Sequence, residues 1–108
     1  MKPVEFLGDS LEALLQFPRS ARRAAGFQLD KVQRGHDPDD WKPLKTVGAS
    51  VNEIRVRDAA GVFRVVYIAR LANAVYVLHC FKKQSRQTSA GDIELARSRY
   101  KQLMWRNR

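Results

Sequence analysis

From Val51 to Lys83 apolar and polar residues alternate along a stretch rich in Val, Ile, Tyr and Phe, broken by two short turn-like segments. A period of two sends successive side chains to opposite faces, so the stretch predicts a three-stranded antiparallel meander. In its first strand Ile54 and Val56 share one face, while Glu53, Arg55 and Arg57 share the other. Asp58-Ala59-Ala60-Gly61 reads as a four-residue hairpin loop. Pairing Arg57 with Val62 then sets Arg55 opposite Arg64, at about 5 Å between Cβ atoms. The third strand is expected over Ala74–Phe81. There Val75, Val77, His79 and Phe81 alternate with Tyr76, Leu78, Cys80 and Lys82, and both sets are largely apolar, as a strand covered on two sides requires. A one-residue slip in its register moves His79 between the core and the cationic face.

Ahead of the meander the period lengthens. Pro3–Leu7 reads as a short edge strand, with Pro tolerated at its first position. Asp9 with Glu12 resembles an N-terminal capping pair for a helix over Ser10–Phe17. Pro18 suits the first turn of a second helix over Pro18–Arg34, on which Ala21, Ala25, Leu29 and Val32 form one stripe. Gly35 is placed to cap its end. The tight junction predicts an antiparallel helical hairpin, on which Phe27, off the stripe, either packs against the first helix or is exposed to a partner; the packing reading is preferred. His36–Gly48 reads as an irregular connector pinned by Trp41 and Leu44. After the polar KKQSRQTS loop, Thr88 or Ser89 caps a last helix running to about Met104 or Trp105. Its apolar stripe is Ile93, Ala96, Tyr100, Leu103 and Met104, flanked by Arg97, Arg99, Lys101, Arg106 and Arg108.

At 108 residues the chain is expected to be a single domain, 1–108. No apolar run approaches the length of a membrane span, and MKPVEFLGDS lacks the hydrophobic segment of a secretory signal, so a cytoplasmic protein is the expectation. One Cys and two His give no metal-ligand spacing, and no cofactor motif is present. The charge changes the picture more. The net charge is +9, and residues 1–50 hold 8 Lys/Arg against 7 Asp/Glu, so nearly all the excess lies from Val51 onward. A basic half of this kind favours a nucleic acid, an anionic membrane or an acidic partner protein, or is simply a soluble basic surface.

The meander concentrates that charge. Arg55 and Arg64, held close on one face, repel unless an anion or an acid lies between them, and a phosphate is the natural occupant. Glu53, two residues along, is placed to neutralise the pair in part; the alternative is an Arg–Glu–Arg surface ladder. Arg57, Lys45 and Arg86 are candidate contacts to the same nucleic acid. Lys82 and Lys83 end the last strand beside them. His79 is either a hydrogen-bonded core residue or a proton-transfer group, and Cys80 reads as a small buried residue.

The residues Trp41-Lys42-Pro43-Leu44-Lys45, Glu53-Ile54-Arg55, Gly61-Val62-Phe63-Arg64-Val65-Val66-Tyr67, Leu78-His79-Cys80-Phe81-Lys82-Lys83 and the helix start from Thr88 to Ala96 occur in a familiar order. By them the chain resembles the HigB-like, phage-derived branch of the RelE/ParE superfamily, the toxin halves of type II toxin–antitoxin pairs. The resemblance implies an α+β fold, with two N-terminal helices packed on a twisted antiparallel sheet and a C-terminal helix. It implies a ribosome-dependent mRNA endonuclease neutralised by an antitoxin, commonly a helix-turn-helix protein, which alone links it to DNA. Arg55 and Arg64 match the basic strand residues that hold the scissile phosphate, and Lys83 matches a basic residue after the last strand, with Lys82 its neighbour. Glu53 stands where the RelE pattern has a basic residue, and the tyrosine near the start of its last helix has no match here. ParE-like relatives share the fold and inhibit gyrase without cleaving anything, so that reading stays open, as does a non-catalytic RNA- or protein-binding module.

Metal-free RNA cleavage needs a base for the 2′-hydroxyl, fixed cations for the phosphorane and an acid for the leaving 5′-oxygen. Arg55 and Arg64 are the expected cations, since guanidinium stays charged and binds phosphate bidentately. Glu53 ranks first as base, ahead of His79. Lys82 or Lys83, whose pKa crowding by cations would lower, is the expected acid.

Overall fold

The meander forms where alternation places it, as β3 (Val51–Asp58), β4 (Gly61–Ile68) and β5 (Val75–Lys82) of a computed structural model that describes residues 1–84 and 86–107. Ser85, in the loop after β5, and Arg108, expected beside the last helix's stripe, lie outside the described residues. Two short strands extend the meander on its edges. β1 (Val4–Phe6) pairs with β5, and β2 (Trp41–Pro43) pairs with β3, giving the order β1-β5-β4-β3-β2. Since β1 runs parallel to β5 and the other pairs are antiparallel, the expected antiparallel sheet is corrected to a mixed one. The expected irregular connector is likewise corrected at Trp41–Pro43, where backbone pairing with Asn52–Ile54 draws three of its residues into the sheet.

The remaining elements are α1 (Ser10–Leu15), α2 (Arg19–Gln33) and α3 (Ala90–Arg106). The α2 stripe is as periodicity predicts, with Ala21, Ala25, Leu29 and Val32 all buried, and Gly35 takes the positive φ of a residue following a helix end. Ala21 and Ala25, small residues, bring α2 close to the sheet. α1 and α2 pack on one face, sharing a core with Ile54, Val56, Phe63, Val65, Tyr67, Val75, Val77 and Cys80, and the rings of Phe17 and Phe63 meet at 4.7 Å. α1 lies chiefly on β5 and α2 on β3, so the two sit side by side on the sheet. Phe27 is exposed, which corrects the reading that it packs on α1.

α3 covers the opposite face. Ala96 and Leu103 bury against Val51, Val66, Ile68, Tyr76 and Leu78, with Ile93, Tyr100 and Met104 packed at the margin. Ser89 caps α3 as expected, its hydroxyl accepting the Asp92 N–H at 3.1 Å. Asp9 makes no such side-chain cap at α1. Its carboxylate is drawn instead to Arg99 of α3, 2.5 Å away, because a guanidinium is the stronger partner.

The strand register has one irregularity. Tyr67 pairs with Val77 and Val66 with His79, leaving Leu78 as an extra residue on β5. Such a bulge resets the alternation. Before it, Val75 and Val77 point to the α1/α2 side. After it, Cys80 does so, and His79 and Phe81 join the α3 side. The expected grouping of His79 and Phe81 with Val75 and Val77 is thereby corrected.

Candidate functional site

On β3 and β4 the apolar positions Ile54, Val56, Phe63 and Val65 all go to the α1/α2 core, so the intervening charged residues are delivered to the other face. Paired residues on neighbouring strands share a face, and the register therefore arranges them in rows. One row runs Lys42, Glu53, Val66, His79 across β2, β3, β4 and β5. The next runs Arg55, Arg64, Phe81. A third holds Arg57 opposite Val62, whose carbonyl accepts the N–H of Lys83 at 2.8 Å. Rows are about 7 Å apart and strands about 4.8 Å apart. α3 leaves much of this end uncovered, and Arg55, Val62, Phe81 and Lys83 are half-buried while Arg57 is exposed.

Arg55 does lie opposite Arg64, and Arg57 opposite Val62. Of the anion or acid expected to relieve the two guanidiniums, the structure supplies acids, each guanidinium being engaged by a carboxylate. Arg64 donates through Nη1 to Glu53 Oε1. Arg55 donates through Nε to Asp40 Oδ1 at 2.7 Å, with Nη2 2.6 Å from the same oxygen. Arg57 Nε reaches Asp40 Oδ2 at 3.5 Å, and Lys42 Nζ stands 3.5 Å from Glu53 Oε1. Two like charges at cross-strand distance are costly, and these acids relieve the repulsion.

The site thus has a floor and a rim. Glu53, Arg64 and His79 form the floor, at 0%, 4% and 7% exposure. Lys42, Arg55, Arg57 and Lys83 stand around it. Among the described residues, the buried side-chain atoms without a hydrogen-bond partner are Glu53 Oε2, Arg64 Nε and His79 Nδ1, and all three belong to this floor. Buried polar atoms are nearly always satisfied by protein, water or an ion, so three exceptions on one sheet face single out this floor as the place for a polar ligand or ordered water. Lys83 reports the same convergence. Partial loss of hydration, then Arg64, Lys42 and Arg55, hold its ammonium pKa below the ordinary lysine range against the opposing pull of Glu53. Crowded cations are what a phosphate would relieve.

Other expected site residues fall outside the rows. Lys82 pairs with Phe63 and so takes the α1/α2 side, lining an apolar pocket of about 480 Å³ with Phe17, Pro18 and Phe63. Lys45 is exposed in the loop after β2, and Arg86 is exposed in the loop before α3. Another cleft, of about 1020 Å³, is lined by Lys2, Arg34, His36, Asn52, Tyr67 and Arg70 among others, and none of the row residues borders it. There burial comes first, and nearby Asp37 adds, in pushing the Tyr67 hydroxyl up to about 12.

Sequence reasoning missed Asp40, Asp92 and Arg99. His79 Nε2 and Asp92 Oδ1 are 2.7 Å apart, and the imidazole stacks on Phe81 at 5.1 Å between centroids. Asp40 comes from the connector and Arg99 from a stripe flank, and neither carries a local signal. Asp92 does carry one, since Ser89-x-x-Asp92 has the spacing of a capping box.

Residues 12–101 of the chain match the family described as Phage derived protein Gp49-like (DUF891). No curated protein matches it.

Proposed function

This chain belongs to the phage-derived Gp49-like family, of the RelE/ParE toxin type, and from that premise we propose that it is the toxin of a type II toxin–antitoxin pair, on the HigB-like branch, and cleaves mRNA on the ribosome without a metal. The observation that carries the reading is the floor of Glu53, Arg64 and His79, with its three unpartnered buried atoms beneath a rim of cations. A base, a permanently charged guanidinium and an imidazole in two adjoining rows are the parts that phosphodiester cleavage by the neighbouring 2′-hydroxyl calls for.

In this reading Lys42, Arg57 and Lys83 receive the phosphates of the incoming strand. Glu53 takes the 2′-hydroxyl proton as that oxygen attacks phosphorus. Arg64, oriented by its bond to Glu53, faces the charge gathering on the phosphorane. The P–O5′ bond breaks, and the 5′-oxygen takes a proton from His79, leaving a 2′,3′-cyclic phosphate and a 5′-hydroxyl. Glu53 and His79 are separated by two strand spacings, about 10 Å at Cβ. That leaves room for a phosphate between two side chains that lean toward it. Lys83, the rival proton donor, serves the gathering charge instead, since it stands at the rim beside Arg64, Lys42 and Arg55 while His79 shares the floor row with Glu53.

A cognate antitoxin, a helix-turn-helix protein in this branch, would hold the toxin inactive in the cytoplasm. The test is expression of the chain alone, with mapping of new RNA 5′ ends and their chemistry. Cuts inside translated regions bearing 5′-hydroxyl ends, lost in Glu53→Gln with its folded yield measured beside it, are the expected result. Growth arrest with DNA breaks and no new RNA ends would replace it with gyrase inhibition. Neither effect would leave a non-catalytic binding module.

A further inference from the structure

The row of Glu53, Val66 and His79 contains a histidine only because β5 is irregular. Had β5 kept strict alternation through Leu78, the side chain at position 79 would follow Val75 and Val77 into the α1/α2 core. α3 fastens that irregularity with two side chains seven residues apart, and therefore on one helical face. Arg99, buried, donates through Nη1 to the carbonyl of Leu78 at 2.9 Å and through Nη2 to Asp9. In the first turn of the helix, Asp92 meets the imidazole of His79. Its carboxylate is itself held, since Oδ2 accepts the Ser89 hydroxyl at 2.7 Å while the Asp92 N–H donates back to Ser89 Oγ. Stacking on Phe81 fixes the ring plane.

A carboxylate that accepts from one ring nitrogen decides which nitrogen keeps the proton and which exchanges it. We infer that Asp92 is a positioning residue for His79, holding the proton on Nε2 and leaving the unpartnered Nδ1 as the atom that transfers protons at the site. This rests on the cleavage reading for its chemistry, but the tautomer itself does not. The charged groups bearing on the ring are Asp92 on α3, Asp9 ahead of α1, which feels the His79 charge, and Glu53 across Val66 on β3. Asp92 is the one in direct contact. An alternative role, in which the pair only anchors α3, would give the same tautomer but leave kcat and the pH dependence of cleavage untouched.

The experiment compares the full chain with Asp92→Asn. Nitrogen-15 spectra of the imidazole at high pH should show the wild-type proton on Nε2, and Asn at position 92 should shift it toward Nδ1 or mix the two forms. In ribosome-coupled cleavage kcat should fall about a hundredfold or more with KM little changed, by analogy with other carboxylates that orient a catalytic histidine. The limb of the pH–rate profile that belongs to His79 should move. A wild-type Nδ1–H tautomer, or an Asp92→Asn protein with unchanged kcat and pH profile, overturns the inference. Should Asp92→Asn fail to fold, a wild-type Nδ1–H tautomer still sinks the assignment, and Ser89→Ala, which frees Asp92 Oδ2, should lower kcat with KM little changed, an unchanged kcat overturning it. Absence of cleavage by the wild type would reject the nuclease reading, while the tautomer would still test Asp92.

Discussion

Glu53 is the residue on which most of the site's energetics turn, because it is fully buried and carries a charge. A carboxylate in that position is tolerated only when cations compensate it, and Arg64 and Lys42 do so. Removing one member of such a pair strands the other. Arg64→Met or Glu53→Met alone should therefore cost about 3–5 kcal/mol in urea unfolding, whereas the double variant should recover most of the loss. Simple addition of the two losses would show that the groups do not interact. For the same reason the bare loss of toxicity in an Arg64 variant is a poor test of its role, and folded yield must be measured beside it. Lys83 gives a gentler probe. Its folded-state pKa is lowered, so the unfolded chain binds more proton in the window between that value and the ordinary lysine pKa, and stability from this group rises as pH climbs through the window. An anion at the rim should cancel the effect of Arg64, Lys42 and Arg55. A 2′-deoxy oligonucleotide, which binds without being cut, is expected to raise the Lys83 titration midpoint read by carbon-13 NMR. A midpoint that stays put would place the phosphate elsewhere.

Among the elements, α3 shows how much of the site is tertiary. Its contact with the start of α1 depends on Gly8, where φ is +55° and an added Cβ would overlap the Arg99 guanidinium. Gly26, inside α2, has open space around it. Gly8→Ala should lower stability by about 1–3 kcal/mol through backbone strain and displacement of Arg99, while Gly26→Ala should raise it by about 0.5–1 kcal/mol through helix propensity. Thermal melts of the two variants check both signs, and a neutral Gly8→Ala would mean that Arg99 is not held there. The meander, the α2 stripe, the Ser89 cap and the facing of Arg55 and Arg64 were all readable in the sequence, because each follows from local periodicity or a short loop. The bulge at Leu78 was not, since one extra residue in an apolar strand leaves the composition unchanged. β1 and β2 were hard for a related reason, as three-residue strands exist only through their partners. Asp40 reaches Arg55 from the connector, and no local pattern announces it.

The whole molecule divides its sheet unequally. Two helices cover one face, and a single helix covers part of the other, leaving the Arg55, Arg57 and Lys83 end open. Four basic residues of the second half of the chain, Arg55, Arg57, Arg64 and Lys83, come together at this end with Lys42, and the acids Glu53, Asp40 and Asp92 are drawn in with them. Glu53 is shared by Arg64 and Lys42 and Asp40 by Arg55 and Arg57, so these two acids offset only part of the charge, and long-range attraction for a nucleic acid comes mainly from the outer cations Lys42, Arg57 and Lys83. That gives a number. Each phosphate contact to a single strand contributes a slope of about −0.7 in log affinity against log salt, so three rim cations predict a slope of roughly −2 for a 2′-deoxy oligonucleotide. Replacing Lys42, Arg57 or Lys83 by Gln should each flatten the slope by about 0.7, with little change in thermal stability since all three are at least partly exposed. Lys82→Gln, on the far side of the sheet, should leave the slope alone. Fluorescence anisotropy across a salt series separates the two groups. Equal effects of Lys82 and Lys83 would mean that the strand follows net charge around the edge of the sheet, and the three rows would lose their claim to be the place where it binds.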